Sequence, residues 1–316
     1  MVRQAETEFL MDISAPTNEI GLDELWTEIR SLGLESYIKD LDRDGYTVIP
    51  PEIANPNNLC QRLLDVCLSI AETRSGIRPD VLNGNSLNTS SVIGDTLKAI
   101  FLEDPVFEEA LMNPALLAIS TYLCGYDIVL SSMNFQTKGP SDLKFKLHTD
   151  TRLPSPLPAR ALLCKCIFAL TDFDRDHGST AFVPGSQEWA RNPIGEEKVF
   201  GEEGSQHAIP AVAPAGSLII FHGNTWHGAF NRRLPGLRAS LHLLMQRSML
   251  RCTEDLYDRI SEEILGRNSA RFALLTQQAI IPPYTDHDDQ VAKITRALKY
   301  TSAFEQESGI ALAAKR

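Results

Sequence analysis

No run of the chain reaches the roughly 18 consecutive apolar residues of a membrane-spanning helix. The opening stretch, MVRQAETEFLMDISAPTNEI, carries no apolar segment of signal-peptide length. Both absences lead to the expectation of a soluble, cytoplasmic protein. Basic residues are in deficit, 30 lysines and arginines against 41 aspartates and glutamates, for a net charge of −11. That balance disfavours nucleic acid or another polyanion as the main partner, and no basic cluster offsets it. Cysteines are few and scattered: Cys60, Cys67, Cys124, Cys164, Cys166 and Cys252, with no C-x-x-C pair. Reduced, packed thiols are expected from this spacing rather than disulfides or a metal cluster. Internal repeats and low-complexity tracts are also missing.

What the chain does have is apolar residues, 43% of its 316, enough for one large core. A single domain over 1–316 is expected, mainly helical over 1–126, β-rich over 127–250 and helical again over 251–316. GLDELWTEIRSLGLESYI places Leu22, Leu25, Trp26, Ile29 and Leu32 at helical spacing. Asn55-Pro56 and Asn113-Pro114 each read as an N-cap followed by a first helical residue, and Gly125 as a stop. GYTVIP between them reads as a strand. From about residue 127 short β-type runs follow one another: DIVLSSMNFQTK, KFKLHTD, ALLCKCIFAL, TAFVPG, SLIIFHG and RASLHLLMQR. Their cadence is that of an antiparallel barrel or jelly roll. Thr253 then precedes a helix, EDLYDRISEEILG, ending at Gly266, and a polar helix is expected from about Asp286 to Tyr300.

Side chains alternate along a strand, so KFKLHTD puts Lys146, His148 and Asp150 on one side. Downstream, SLIIFHGNTWHG offers His227, with Gly223 and Gly228 giving the backbone room to bring that imidazole back over the sheet. Two imidazoles and a carboxylate on one face of an octahedral ion leave three positions open, which suits Fe(II) oxygen chemistry. An isolated His-x-Asp is a weak signal in a chain with seven histidines. Weight comes from Arg238, eleven residues after His227, and from Ser240 on the same strand face. Together they offer a fork of donors plus a hydroxyl for a carboxylate. A dicarboxylate that chelates a metal at one end needs such a grip at the other. Two alternatives stand beside this reading: a hydrolase with a zinc-activated water, and a silent jelly-roll binding protein. The first has no use for Arg238 and Ser240, and the second does not need all three ligands.

HTD, then HGSTAFVPGSQEW, then His227 with Arg238 eleven residues on, is a pattern that resembles the phytanoyl-CoA dioxygenase family of Fe(II)/2-oxoglutarate-dependent oxygenases. The resemblance covers about residues 130–247, and DLDRDGYTVIPPEI extends it to the family's amino-terminal strand. It implies a mainly β fold with flanking helices around a double-stranded β-helix (jelly roll, cupin-like) core. It also implies a dioxygenase reaction in which 2-oxoglutarate and O2 give succinate and CO2 while a C–H bond is oxidised. By position His148, Asp150 and His227 would bind Fe(II). Arg238 and Ser240 would hold the distal carboxylate of 2-oxoglutarate, and Thr180 matches a threonine that hydrogen-bonds the same cosubstrate. Lys146 stands where some relatives carry a glutamine facing the cosubstrate, and Gln187 where PGSH is usual, a change assigned to the turn. Halogenating relatives lack the carboxylate ligand; with Asp150 present, hydroxylation, desaturation or cyclisation is expected.

Around this site, Asn134 and Gln136 alternate onto one strand face, toward cosubstrate, substrate or solvent. The loop TRLPSPLPARA leaves directly from Asp150, stiffened by Pro154, Pro156 and Pro158, and is the candidate substrate lid. Its Arg152 and Arg160 either meet an acidic substrate or are solvated. Trp226 either walls a pocket or packs in the core, and the same two options hold for His242. His177, His207 and His287 fall in polar loops. No basic surface for a coenzyme A 3′-phosphate is apparent, so a small metabolite of specialised metabolism is favoured over an acyl thioester. A monomer or homodimer with no nucleic-acid or membrane partner is expected.

Overall fold

The computed structural model describes residues 21–200 and 207–312. The segment read above as lacking a signal peptide lies outside the described residues. Among those described, no helix is long and apolar enough to cross a membrane. The amino-terminal third comprises α1 (Leu22–Ser31), α2 (Glu35–Asp44), β1 (Tyr46–Ile49), α3 (Pro51–Ala54), α4 (Leu59–Ser75), β2 (Asp95–Leu97), α5 (Val106–Leu111) and α6 (Pro114–Cys124). The stripe that begins at Leu22 belongs to two helices, because Gly33 takes φ 67°, a conformation open to glycine without Cβ strain. Both halves bury the expected face, Leu25 and Ile29 in α1, Ile38 and Leu41 in α2. Asn55 does cap, but from further out. Its Oδ1 accepts from Cys60 N at 2.7 Å, since Pro56–Asn58 form a separate 3-10 turn before α4 starts. Asn113 accepts from Leu116 N at 3.2 Å, and Gly125 ends α6.

The rest of the chain runs through β3 (Ile128–Lys138), β4 (Phe145–His148), β5 (Leu163–Ala169), β6 (Thr180–Phe182), β7 (Ile209–Pro210), β8 (Leu218–His222), β9 (His227–Ala229), β10 (Arg238–Arg247), α7 (Glu262–Arg267), α8 (Ala270–Leu275) and α9 (His287–Ser308). The helix expected directly after Thr253 is displaced to α7. The Glu254 carboxylate accepts instead from Ala99 N and Met133 N, and Ser261 becomes the cap by accepting from Ile264 N at 3.2 Å. Gly266 therefore lies within α7. The last helix is longer than expected, capped by Asp286 and stopped by Gly309.

The strands form two sheets, one of six in the order β1-β8-β5-β10-β3-β2 and one of four in the order β4-β9-β6-β7. All named pairings are antiparallel. The architecture is an open jelly-roll sandwich rather than a closed barrel, and alternation assigns its two faces. On the outer face of the larger sheet Phe135, Cys164, Cys166, Phe168, Ile220, Leu241 and Leu243 pack against α6 and α8 in the main core. Each fully buried leucine or phenylalanine there contributes about 1.5–3 kcal/mol. On the inner face Ile167, Ala169, Ile219 and Phe221 meet Phe182 of the smaller sheet in a second cluster. Beside that cluster the inner face turns polar. Ser240 pairs with Gln136 and Ala169, His242 with Asn134 and Ile167, and Arg238 with Lys138.

Candidate active site

His148 closes β4, His227 opens β9, and the two stand opposite each other across the ladder. Asp150 comes two residues after His148, where its N–H and that of Thr151 both donate to Gly223 O, at 2.9 and 3.1 Å. That approach needs a glycine: a Cβ at Gly223 would lie 2.5 Å from Leu163 Cδ1 and 2.7 Å from Thr151 Oγ1. One ligand atom from each of His148, Asp150 and His227 thereby falls within 4.8 Å of the others. The His148 and His227 Nε2 atoms stand 4.0 and 3.9 Å from Asp150 Oδ1. Each Nδ1 faces a backbone carbonyl, His148 that of Lys146 at 3.2 Å and His227 that of Thr225 at 3.0 Å. An Nδ1–H donated there leaves each Nε2 lone pair for a metal.

Burial alone would raise the Asp150 pKa, but Lys165, His227 and His148 outweigh it and hold the group at about 2. Burial pushes His227 down to about 4, against the pull of Asp150. At neutral pH these two groups are therefore a carboxylate and a neutral imidazole, the forms that bind metal. Asp150 Oδ2 is buried without a hydrogen-bond partner, its nearest cation being Lys165 Nζ at 3.9 Å. An unsatisfied carboxylate oxygen beside two available imidazole lone pairs fits a divalent cation with open coordination positions.

The three residues border a cavity of about 110 Å³, which Gln136, Lys138, Lys165, Thr180 and Arg238 also line. Arg238 is buried, its Nη1 donates to Gly178 O, and its guanidinium sits 5.1 Å from the centre of the Phe173 ring. Its Nε has no partner. Burial, aided by Arg232, lowers its pKa to about 10, so it stays charged at neutral pH. Ser240 lies behind this surface, its Oγ 2.9 Å from His242 Nε2, and burial drives the His242 pKa well below its usual value.

Other expected residues lie elsewhere. The β4–β9 ladder shifts register between Phe145 and His148, which breaks the alternation expected to keep Lys146 with His148 and Asp150. Phe145 lines the cavity instead, while Lys146 is exposed and lines a neighbouring one of about 250 Å³. Asn134 and Arg152 border a third cavity, about 780 Å³, which meets the first at Asp150 and Lys165. Arg160 lies away from all three, beside Tyr122 and His222. Trp226 is fully buried, donates from Nε1 to Arg191 O at 2.8 Å and packs on Leu147 and Val183, so it is a packing residue. His177 pairs with Asp174 at 2.9 Å. The Gln187 amide donates to Asp42 O at 3.0 Å, tying its turn to the end of α2.

Two charged lining residues, Lys138 and Lys165, were not singled out from the sequence. The signals were present: Lys138 is in phase with Asn134 and Gln136, and Lys165 interrupts an apolar strand between Cys164 and Cys166.

Three buried histidines give the fold a pH dependence. Burial brings His222 and His227 to about 4 and His242 well below its usual value, whereas an unfolded histidine titrates near 6.5. Below about 6.5 the unfolded chain takes up protons that the folded chain refuses, so stability falls as pH drops toward 4. Each such group costs about 1.4 kcal/mol per pH unit through that range. Thermal melts in chelator should show Tm declining between about pH 6.5 and 5, less steeply in His222→Gln; a flat profile would contradict the assignment.

An open jelly roll with a His–Asp–His cluster at its mouth and a buried arginine beside it is the architecture of the Fe(II)/2-oxoglutarate-dependent oxygenases. The model of the family described as Phytanoyl-CoA dioxygenase (PhyH) matches residues 41–240, and the chain belongs to that family. Dioxygenase aneA of Aspergillus aculeatus is 27% identical over 185 residues, 57% of this chain and 58% of that protein. Dioxygenase af480 of Aspergillus fumigatus is 26% identical over 125 residues, 39% of each. The chain thus matches less than two thirds of the length of these fungal relatives. Ectoine dioxygenase of Stutzerimonas stutzeri is 22% identical over 232 residues, 65% of this chain and 74% of that protein. Among solved structures, the non-heme alpha ketoglutarate dependent carbocyclase SnoK from nogalamycin biosynthesis superposes with a TM-score of 0.53 at 16% identity, covering 72% of this chain and 90% of that one. The epimerase SnoN, solved with Fe3+, alpha ketoglutarate and nogalamycin RO, gives 0.52 at 18% identity over 73% and 92%. At these identities the likeness establishes the fold.

Proposed function

We propose that the chain is an Fe(II)/2-oxoglutarate-dependent dioxygenase that oxidises an unactivated C–H bond of a small metabolite in specialised metabolism. The observation that carries this reading is the shared cavity, in which His148, Asp150 and His227 and the buried Arg238 line one space of about 110 Å³. The dioxygenase relatives and the alpha ketoglutarate dependence named for SnoK support it. For hydroxylation, 2-oxoglutarate, O2 and R–H give succinate, CO2 and R–OH. Iron(II), held by His148, Asp150 and His227, would supply the redox chemistry that couples these changes. Arg238 holds the distal carboxylate of the cosubstrate in a two-pronged contact, with Thr180 and Gln136 lining the same space. Ser240, expected beside Arg238, does not line this cavity; its Oγ stands 2.9 Å from Nε2 of His242, which does.

The primary substrate enters through the cavity of about 780 Å³ that adjoins the metal ligands at Asp150, within the range of roughly 300–1,000 Å³ usual for small-molecule sites. Arg152 and Leu153 of the proline loop line it. Exchanging residues 151–160 should therefore change kcat/KM for the primary substrate by about tenfold and leave the 2-oxoglutarate requirement alone. Loop variants that move only the 2-oxoglutarate curve would make the loop part of the cosubstrate site.

A second reading, oxidation of an acyl thioester, has one observation in its favour. Lys144, Lys146, Arg175, Lys198 and Arg233 line the 250 Å³ cavity, which shares Phe145 and Ala229 with the metal cavity. The basic surface that composition hid is assembled there from separate segments. Anaerobic Fe(II) and 2-oxoglutarate titration, then a screen for succinate release over metabolites and coenzyme A thioesters, tests both readings. Iron binding with no 2-oxoglutarate binding would overturn the function proposed.

A further inference from the structure

Glu254 is a half-buried carboxylate at the edge of the six-stranded sheet, and the groups that hold it occupy only one of its oxygens. Oε1 accepts from Ala99 N at 3.2 Å and from Met133 N at 3.3 Å. Met133 lies two residues beyond the point where β2 ends, at Leu97 opposite Phe135, so the carboxylate takes over from the missing strand. Oε2 accepts from no group among the described residues. The one cation that acts on the carboxyl is Arg259, the least of the influences on it. Burial raises its pKa by more than the two amide bonds and Arg259 lower it. A carboxylate under-compensated in this way costs free energy until a donor reaches it.

Glu254 lines the cavity of about 780 Å³ that meets the metal site at Asp150 and Lys165. Leu153, Leu162, Leu163, Leu244 and Leu250 give the same space an apolar wall. Charge then selects the donor. Lys98, Arg152, Lys165 and Arg251 also line the cavity, against two acids, Asp150 and Glu254. Four cations disfavour an ammonium ligand, and a second carboxylate at Oε2 would be repelled by the first. A neutral hydroxyl meets both conditions, since it donates one proton and keeps its lone pairs for the cations around it.

Resting on the function proposed above, we infer that Glu254 is a specificity-determining residue of the primary-substrate site, and that the substrate is an apolar molecule whose neutral hydroxyl donates to Glu254 Oε2. The leucines hold the body of that molecule, and Glu254 rejects relatives in which the hydroxyl is absent or blocked.

The test is calorimetric, on protein loaded with Fe(II) and 2-oxoglutarate and kept without oxygen. The probes are rigid and apolar: 1-adamantanol and androstan-17-ol, each beside its methyl ether, and 1-adamantanamine as the cationic counterpart. Both alcohols should bind about tenfold or more tighter than their ethers, and 1-adamantanol tighter than the amine. Glu254→Gln keeps a carbonyl for the Ala99 and Met133 N–H groups, so Tm should hold, and it sets an amide NH2 where Oε2 stands. In that variant the preference for alcohol over ether should shrink to about threefold or less, while 2-oxoglutarate binds as in the wild type. If the variant does not fold, the wild-type comparison of alcohol with ether decides alone. Ethers that bind the wild type as tightly as alcohols, failure of both alcohols to bind, a preference for the amine, or an undiminished alcohol preference in folded Glu254→Gln would each overturn the inference. A wild-type protein that binds iron but not 2-oxoglutarate would instead overturn the function on which the inference rests.

Discussion

Asp150→Ala should leave a folded protein with no detectable 2-oxoglutarate-coupled oxidation. Asp150 is the one anionic member of the ligand cluster, and both its oxygens have distinct neighbours. Oδ1 faces the two imidazoles at 4.0 and 3.9 Å, and Oδ2 faces Lys165 at 3.9 Å. Alanine removes the charge that a divalent ion needs and leaves Lys165 as an uncompensated cation beside the vacated position. Without the carboxylate the two imidazoles share their site with the ammonium of Lys165 and no compensating anion, so iron content should fall together with succinate release. The backbone tie from residues 150 and 151 to Gly223 survives the substitution, so the fold is retained, while Tm in chelator should drop because Lys165 loses its counter-charge. Metal analysis, succinate assay and a thermal melt on one preparation separate loss of ligand from loss of fold. Retained wild-type turnover would remove Asp150 from the ligand set.

Arg238→Ala is expected to act on the cosubstrate and spare the metal. Truncating one partner of a buried charged contact costs on the order of 2–5 kcal/mol, mostly because the abandoned carboxylate stays desolvated. At about 1.4 kcal/mol per tenfold, that is a factor of roughly thirty to several thousand in the 2-oxoglutarate requirement. Arg238→Lys should recover only part, since an ammonium cannot present the planar fork. The side chain also donates to Gly178 O and stacks near Phe173, so Tm must be measured with the kinetics. Succinate formation against 2-oxoglutarate concentration, with iron content in parallel, decides the matter. An unchanged curve in folded, iron-loaded Arg238→Ala would make the arginine structural.

The parts of the site that could be read from sequence are those fixed by short spacings on regular strands. His148 and Asp150 are two apart and fall together, and Arg238 reaches the inner face in phase with Ser240. Lys146 fails the same rule because a register shift intervenes at β4, and nothing in KFKLHTD announces it. Three of the four strands of two or three residues, β2, β7 and β9, are too short for alternation to register, while the fourth, β6, shows as the apolar run of TAFVPG. The segment after Thr253 carries a helical pattern, yet the long-range bonds of Glu254 to Ala99 and Met133 override it. The five basic residues of the neighbouring cavity come from four stretches of chain, so only tertiary structure brings them together.

The proposed metal-binding histidines and the proposed carboxylate grip belong to different sheets. His148 and His227 lie on strands of the four-stranded sheet, whereas Arg238 lies on a strand of the six-stranded one. On the proposed function a seated dicarboxylate would be a strut between two layers, its span gauged by whatever holds the layers apart. Here the spacers are apolar side chains: Phe182 from one sheet against Ile167, Ile219 and Phe221 from the other. Close-packed interiors respond to single methylenes. The chain length of the oxo acid accepted by such a sandwich would thus be set partly by residues that never touch it, and redesign toward a longer or shorter cosubstrate would begin with the thickness of the filling and not with the charges at its ends.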